Sequence, residues 1–71
     1  MLDAKKIGAR LCKLRGEIPR EQVAESIGVS LSAISMYENG ERIPRDAIKI
    51  RLASFYLRSV QEIFFDEECH I

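Results

Sequence analysis

The chain has 71 residues, 46% of them hydrophobic and 31% charged, and its 11 basic and 11 acidic side chains leave no formal net charge. That length holds one domain, since either half alone would lack a core; a domain so small buries only about 60% of its unfolded surface, which makes a second copy or a partner a natural source of stability. No apolar run exceeds three residues (Phe55-Tyr56-Leu57, Ile63-Phe64-Phe65), which excludes a membrane-spanning helix.

Asp3 can cap a first helix over 3–15, in which Ile7, Leu11 and Leu14 follow at spacings of four and three and Arg15-Gly16 ends the stripe. Pro19 suits the first turn of a second helix of about two turns, where its missing N–H costs nothing; Val23, Ala24 and Ile27 give that helix a buried face, and Gly28 stops it. Ser30 is a good N-cap for a third helix, with Ile34 and Tyr37 inward and Asn39-Gly40 as its stop. Tyr37 reads as a core residue with its hydroxyl at the surface. Pro44 opens a fourth helix over 45–57, with Ile48, Leu52, Phe55 and Tyr56 at core spacing. Ser59-Val60-Gln61-Glu62 is a capping box for a short fifth. No segment alternates with period two, so the fold is expected to be all-α, with a domain over 1–65 and a disordered acidic tail over 66–71.

The zero net charge conceals an asymmetry. Residues 1–60 hold every basic side chain and carry +4, whereas 61–71 carry −4 through Glu62, Asp66, Glu67 and Glu68. Phosphate binding depends on the local field, so the first part is a candidate surface and the tail is not. Cys12 and Cys69 lack disulfide, C-x-x-C or zinc spacing and read as free thiols. A start without an apolar leader sets the expectation of a cytoplasmic, nucleoid-associated protein.

Function follows from the turn between helices two and three. Ala24 and Gly28 are small where two helices cross, and Gly28 can take the left-handed conformation that turns the chain sharply. Val23, Val29, Ile34 and Tyr37 then lock the crossing. Leu31, Ser32, Ser35 and Met36 are left outward or on the flank, and a helix held that way can enter a major groove.

The stretch Arg20-Glu21-Gln22-Val23-Ala24-Glu25-Ser26-Ile27-Gly28-Val29-Ser30-Leu31-Ser32-Ala33-Ile34-Ser35-Met36-Tyr37-Glu38-Asn39-Gly40, followed by Arg42 and Pro44, resembles the Cro/CI-type (Xre-like) helix-turn-helix domains of phage repressors and bacterial regulators. The resemblance runs over roughly 5–65 and implies a five-helix, lambda-repressor-like DNA-binding domain. It further implies that Leu31, Ser32 and Ser35 face base edges and that Arg20, Ser30, Asn39 and Arg42 hold phosphates. Arg15 and Glu38 resemble a family ion pair linking helix one to the end of helix three. Arg20 stands where the family often has Gln, and the link Gly16-Glu17-Ile18-Pro19 is about two residues shorter than is common. The chemistry agrees in part: arginines and helix N-termini suit phosphate oxygens, a leucine can touch a thymine methyl and serine hydroxyls can donate or accept.

The remaining basic residues read as solvated surface: Lys5, Lys6, Arg10 and Lys13 on helix one, and, with less claim to phosphate, Lys49, Arg51 and Arg58. Ile63, Phe64 and Phe65 form the expected homodimer contact, one phenylalanine closing the core and the other exposed. The single histidine, His70, beside acids in the tail makes no convincing metal site. No nucleophile has a base at motif distance and no glycine loop cradles phosphate, so no enzyme, cofactor or small-molecule substrate is expected. The leading reading is a transcriptional regulator, a dimeric repressor of phage, mobile-element or bacterial origin reading double-stranded DNA with helix 31–39. An antitoxin or anti-repressor that holds another protein through its C-terminal segment is the alternative.

Overall fold

The structure, a computed structural model, describes residues 3–65, which form five helices and no strand. The acidic tail assigned to 66–71, with Cys69 and His70, lies outside these residues. Helix α1 (Ala4–Arg15) starts where Asp3 accepts hydrogen bonds from the backbone N–H groups of Lys5 at 3.0 Å and Lys6 at 3.2 Å. These are two of the donors that a helix start leaves without internal partners. Ile7 and Leu11 are buried on its inner face. Gly8 lies between them because α1 meets another backbone there. A Cβ at that position would stand 2.5 Å from the Glu38 carbonyl oxygen and 2.7 Å from that of Tyr37.

Helix α2 (Arg20–Ile27) follows Pro19, which occupies the N-cap and makes no side-chain cap bond. Gly28 ends it at φ 75° and ψ 38°, the left-handed conformation a glycine adopts at little cost, and the Val29 amide closes back on the Ala24 carbonyl at 3.0 Å. Arg51, from the fourth helix, donates Nη1 to the Ile27 carbonyl at 3.2 Å, so the same turn is also braced from outside. Two residues on, Ser30 Oγ accepts from the Ala33 N–H at 3.0 Å and starts α3 (Leu31–Glu38).

Helix α4 (Asp46–Tyr56) buries Leu52 and Ala53, with Ile48, Phe55 and Tyr56 packed partly against the core. It ends on Leu57, whose φ of 56° is left-handed without the freedom of a glycine and whose side chain is 89% exposed. The expected capping box is present: Ser59 N donates to Glu62 Oε1 at 3.1 Å and Glu62 N to Ser59 Oγ at 3.0 Å. These bonds draw the Glu62 carboxyl below its usual range, the backbone bond to Ser59 being the larger cause. What it caps is a single wide turn of π type, α5 (Gln61–Phe65).

Three expectations change on folding. Ile63 and Phe64 are 0% and 2% exposed, so both belong to the protein's own core, where each contributes about 1.5–3 kcal/mol by burial; only Phe65, at 46%, is left for an outside contact. Arg10 is not on the solvated face of α1. It is buried, and its Nη1 donates to the Ile63 carbonyl at 2.9 Å, which ties α1 to α5. Lys49 is buried as well, with its Nζ 5.1 Å from the Phe65 ring centroid, 5.8 Å from that of Phe64 and 3.5 Å from Asp46 Oδ1. Lys5, Lys6 and Lys13 are exposed, as is Cys12.

Candidate nucleic-acid interface

Helix α3 has one buried side and one open side. Ile34 and Tyr37 point into the core at 2% and 7% exposure, while Leu31 is 46% exposed, Ser32 is exposed, and Ser35 and Met36 are half-buried. Three residues set that asymmetry. The Ser30 cap fixes where the helix starts, Gly28 fixes the angle at which it leaves α2, and Gly8 lets α1 lie directly on its C-terminal end. The groups along its open side are two hydroxyls and two apolar side chains, which suit base edges and methyls and carry no charge.

Candidate backbone contacts surround this helix. Ser30 is exposed and, because its Oγ only accepts from Ala33, its O–H remains a donor for an outside acceptor. Asn39 follows the last turn, exposed, with its Nδ2 held loosely by Glu41 at 3.4 Å. Arg42 is exposed, beyond the left-handed Gly40.

Glu38, the last residue of α3, is the charged centre of the region. Its side chain is 3% exposed, and each carboxylate oxygen takes one arginine: Arg15 Nε donates to Oε2 at 2.7 Å and Arg20 Nε to Oε1 at 3.1 Å. Arg15 also donates Nη1 to the Ile18 carbonyl at 2.9 Å, which fastens the short link between α1 and α2. The hydrogen bond to Glu38 raises the Arg15 guanidinium above its ordinary value, and burial opposes it. Nearby, burial pushes the Tyr56 phenol up to about 12, with the negative charge of Glu38 as the second cause.

Sequence reasoning did not find three of these parts. Gly8 carries no turn signal because its role is a helix crossing. The Arg51 bond to Ile27 joins residues 24 apart, and the Arg20 bond to Glu38 joins residues 18 apart. None has a local spacing that could announce it. Among the described residues no helix is long and apolar enough to cross a membrane.

The model of a helix-turn-helix family matches residues 10–63. The chain belongs to this family, in its Cro/CI type, and the membership implies DNA binding on an all-α frame. No curated protein and no solved structure matches it.

Proposed function

Starting from a DNA-binding helix-turn-helix of Cro/CI type, we propose that this protein is a sequence-specific transcriptional regulator: a repressor of phage, mobile-element or bacterial origin, acting as a homodimer on a short inverted repeat. The observation that supports it best is the open side of α3, where Leu31 and Ser32 stay exposed on a helix whose opposite side is locked into the core. In this reading Leu31, Ser32 and Ser35 face base edges in the major groove, Leu31 against a thymine methyl and the serines as donor or acceptor. Arg20, Ser30, Asn39 and Arg42 hold backbone phosphates and fix register. Phe65 is the exposed member of the C-terminal trio and the place for a contact between protomers.

Selection from a pool of random duplexes at near-physiological salt tests this directly. Enrichment of an inverted repeat supports a dimeric regulator, its half-sites about one helical turn apart. Salt-sensitive retention with no enrichment would refute sequence-specific reading and favour a protein partner for the C-terminal segment.

A further inference from the structure

We infer that Glu38 is a positioning residue for a DNA-backbone contact made by Arg20: it grips Nε of the guanidinium and leaves the two terminal nitrogens for a phosphate. The inference rests on the reading above that Arg20 meets phosphate.

Glu38 holds two arginines in unequal ways. Arg15 is 15% exposed and has its donors engaged inside the protein, by Glu38 Oε2, by the Ile18 carbonyl and, at 4.0 Å, by Cys12 Sγ. Arg20 is 39% exposed, and among the described residues its one bond is from Nε to Glu38 Oε1. One carboxylate faces two guanidiniums, so a positive charge is left over, and it falls on the arginine that solvent reaches. Because Arg15 pins the buried carboxylate, Glu38 is a fixed anchor for Arg20.

That anchor joins the last residue of α3 to the first residue of α2. A phosphate held by Arg20 is thereby referenced to the helix that reads bases. A guanidinium suits the task because it is a rigid planar fork of five N–H donors, one edge for the carboxylate and the other for a phosphate. A lysine ammonium would have to bring carboxylate and phosphate to the same nitrogen, against their mutual repulsion. Charge alone makes the opposite forecast for Glu38, since removing a negative group near the interface strengthens attraction for DNA. Positioning and simple electrostatics therefore differ in sign.

The test is the affinity of the full chain for a mixed-sequence linear duplex as a function of salt, in wild type, Arg20→Ala, Arg20→Lys, Glu38→Gln and the double variant Glu38→Gln/Arg20→Ala. All are measured at a temperature where thermal unfolding shows each to be folded. The expected result is that Arg20→Lys loses as much affinity as Arg20→Ala, about tenfold, with the salt slope reduced by about one in both. Glu38→Gln should weaken binding clearly on the wild-type background and by less than about twofold once Arg20 is absent. A merely structural Glu38 would cost the same on both backgrounds and would overturn the inference, as would wild-type binding by Arg20→Lys or tighter binding by Glu38→Gln. Unchanged binding by Arg20→Ala would instead refute the phosphate reading of Arg20, and the inference with it.

Discussion

Replacing Gly8 by alanine sets two effects of opposite sign against each other. In an exposed helix interior the change stabilises by about 1 kcal/mol, because alanine loses less backbone freedom on folding. Here the new Cβ would lie 2.5 Å from the Glu38 carbonyl oxygen, 2.7 Å from that of Tyr37 and 2.9 Å from the Glu38 carbonyl carbon. All three obstacles are backbone atoms at the end of α3, so no side chain can swing aside and the helices must separate. Overpacking of this kind costs about 1–3 kcal/mol, and rigid neighbours put it at the upper end, so a net loss of about 1–2 kcal/mol is expected. In a domain of this size each kcal/mol moves Tm by roughly 4–8 °C, giving a fall of about 5–15 °C. Urea unfolding should show a lower midpoint at unchanged slope. Ala9→Gly, at the neighbouring exposed position, is the control that loses propensity alone. If Gly8→Ala proves as stable as wild type or more so, the close crossing of α1 and α3 is wrong.

Three further predictions concern charge, readout and assembly. The Tyr56 phenol is raised from 10 to about 12 in the folded protein, so its contribution is fully present below pH about 10 and is lost as pH rises toward 12, where the unfolded chain has already released the proton. Wild type should lose stability relative to Tyr56→Phe across that window in urea melts; parallel pH profiles would refute the burial of the hydroxyl. Arg42→Ala should weaken binding to all duplexes alike and lower the salt slope by about one, whereas Ser32→Ala should alter preference at one base pair by about 1 kcal/mol or more; a specificity change from Arg42→Ala would contradict its assignment to the backbone. Phe65→Asp should shift a dimer toward monomer in sedimentation without unfolding it, and an unchanged mass would move the contact elsewhere.

The parts legible in the sequence are those whose chemistry is local. Asp3, Ser30 and the Ser59–Glu62 box each satisfy donors two or three residues away, so residue type and spacing suffice to place them. Gly28 is legible for the same reason, since the turn it makes needs a left-handed residue at that point. Leu57 shows the converse: the chain turns left-handed there as well, but no glycine marks it. The parts that could not be read depend on which helices meet. Arg10 sits among basic residues on α1 and looks solvated until α5, 53 residues later, folds over it and offers a carbonyl. Ile63 looks like part of a surface for another protomer until that same fold-back buries it beside Phe64, the phenylalanine that closes the core as expected. The Arg15–Glu38 contact entered through family resemblance, while the sharing of Glu38 with Arg20 required the packed helices.

The fold also changes what the +4 of residues 1–60 can mean. Arg10 and Lys49 are buried, Arg15 is bound to Glu38 and Ile18, Arg51 caps α2, and Arg58 lies 3.8 Å from Glu62. Many of the basic side chains are thus engaged within the protein, and of the two arginines proposed to meet phosphate, Arg42 is exposed in the loop after α3 while Arg20 is half-buried with its Nε on Glu38. A protomer that neutralises about two phosphates has a salt slope of only about −2, a weak electrostatic grip for a protein that must find a site among many. Two protomers on one duplex double that slope and add a second set of base contacts. If Arg20 and Arg42 are the charged residues that meet phosphate, a second protomer would supply electrostatic grip as well as base contacts.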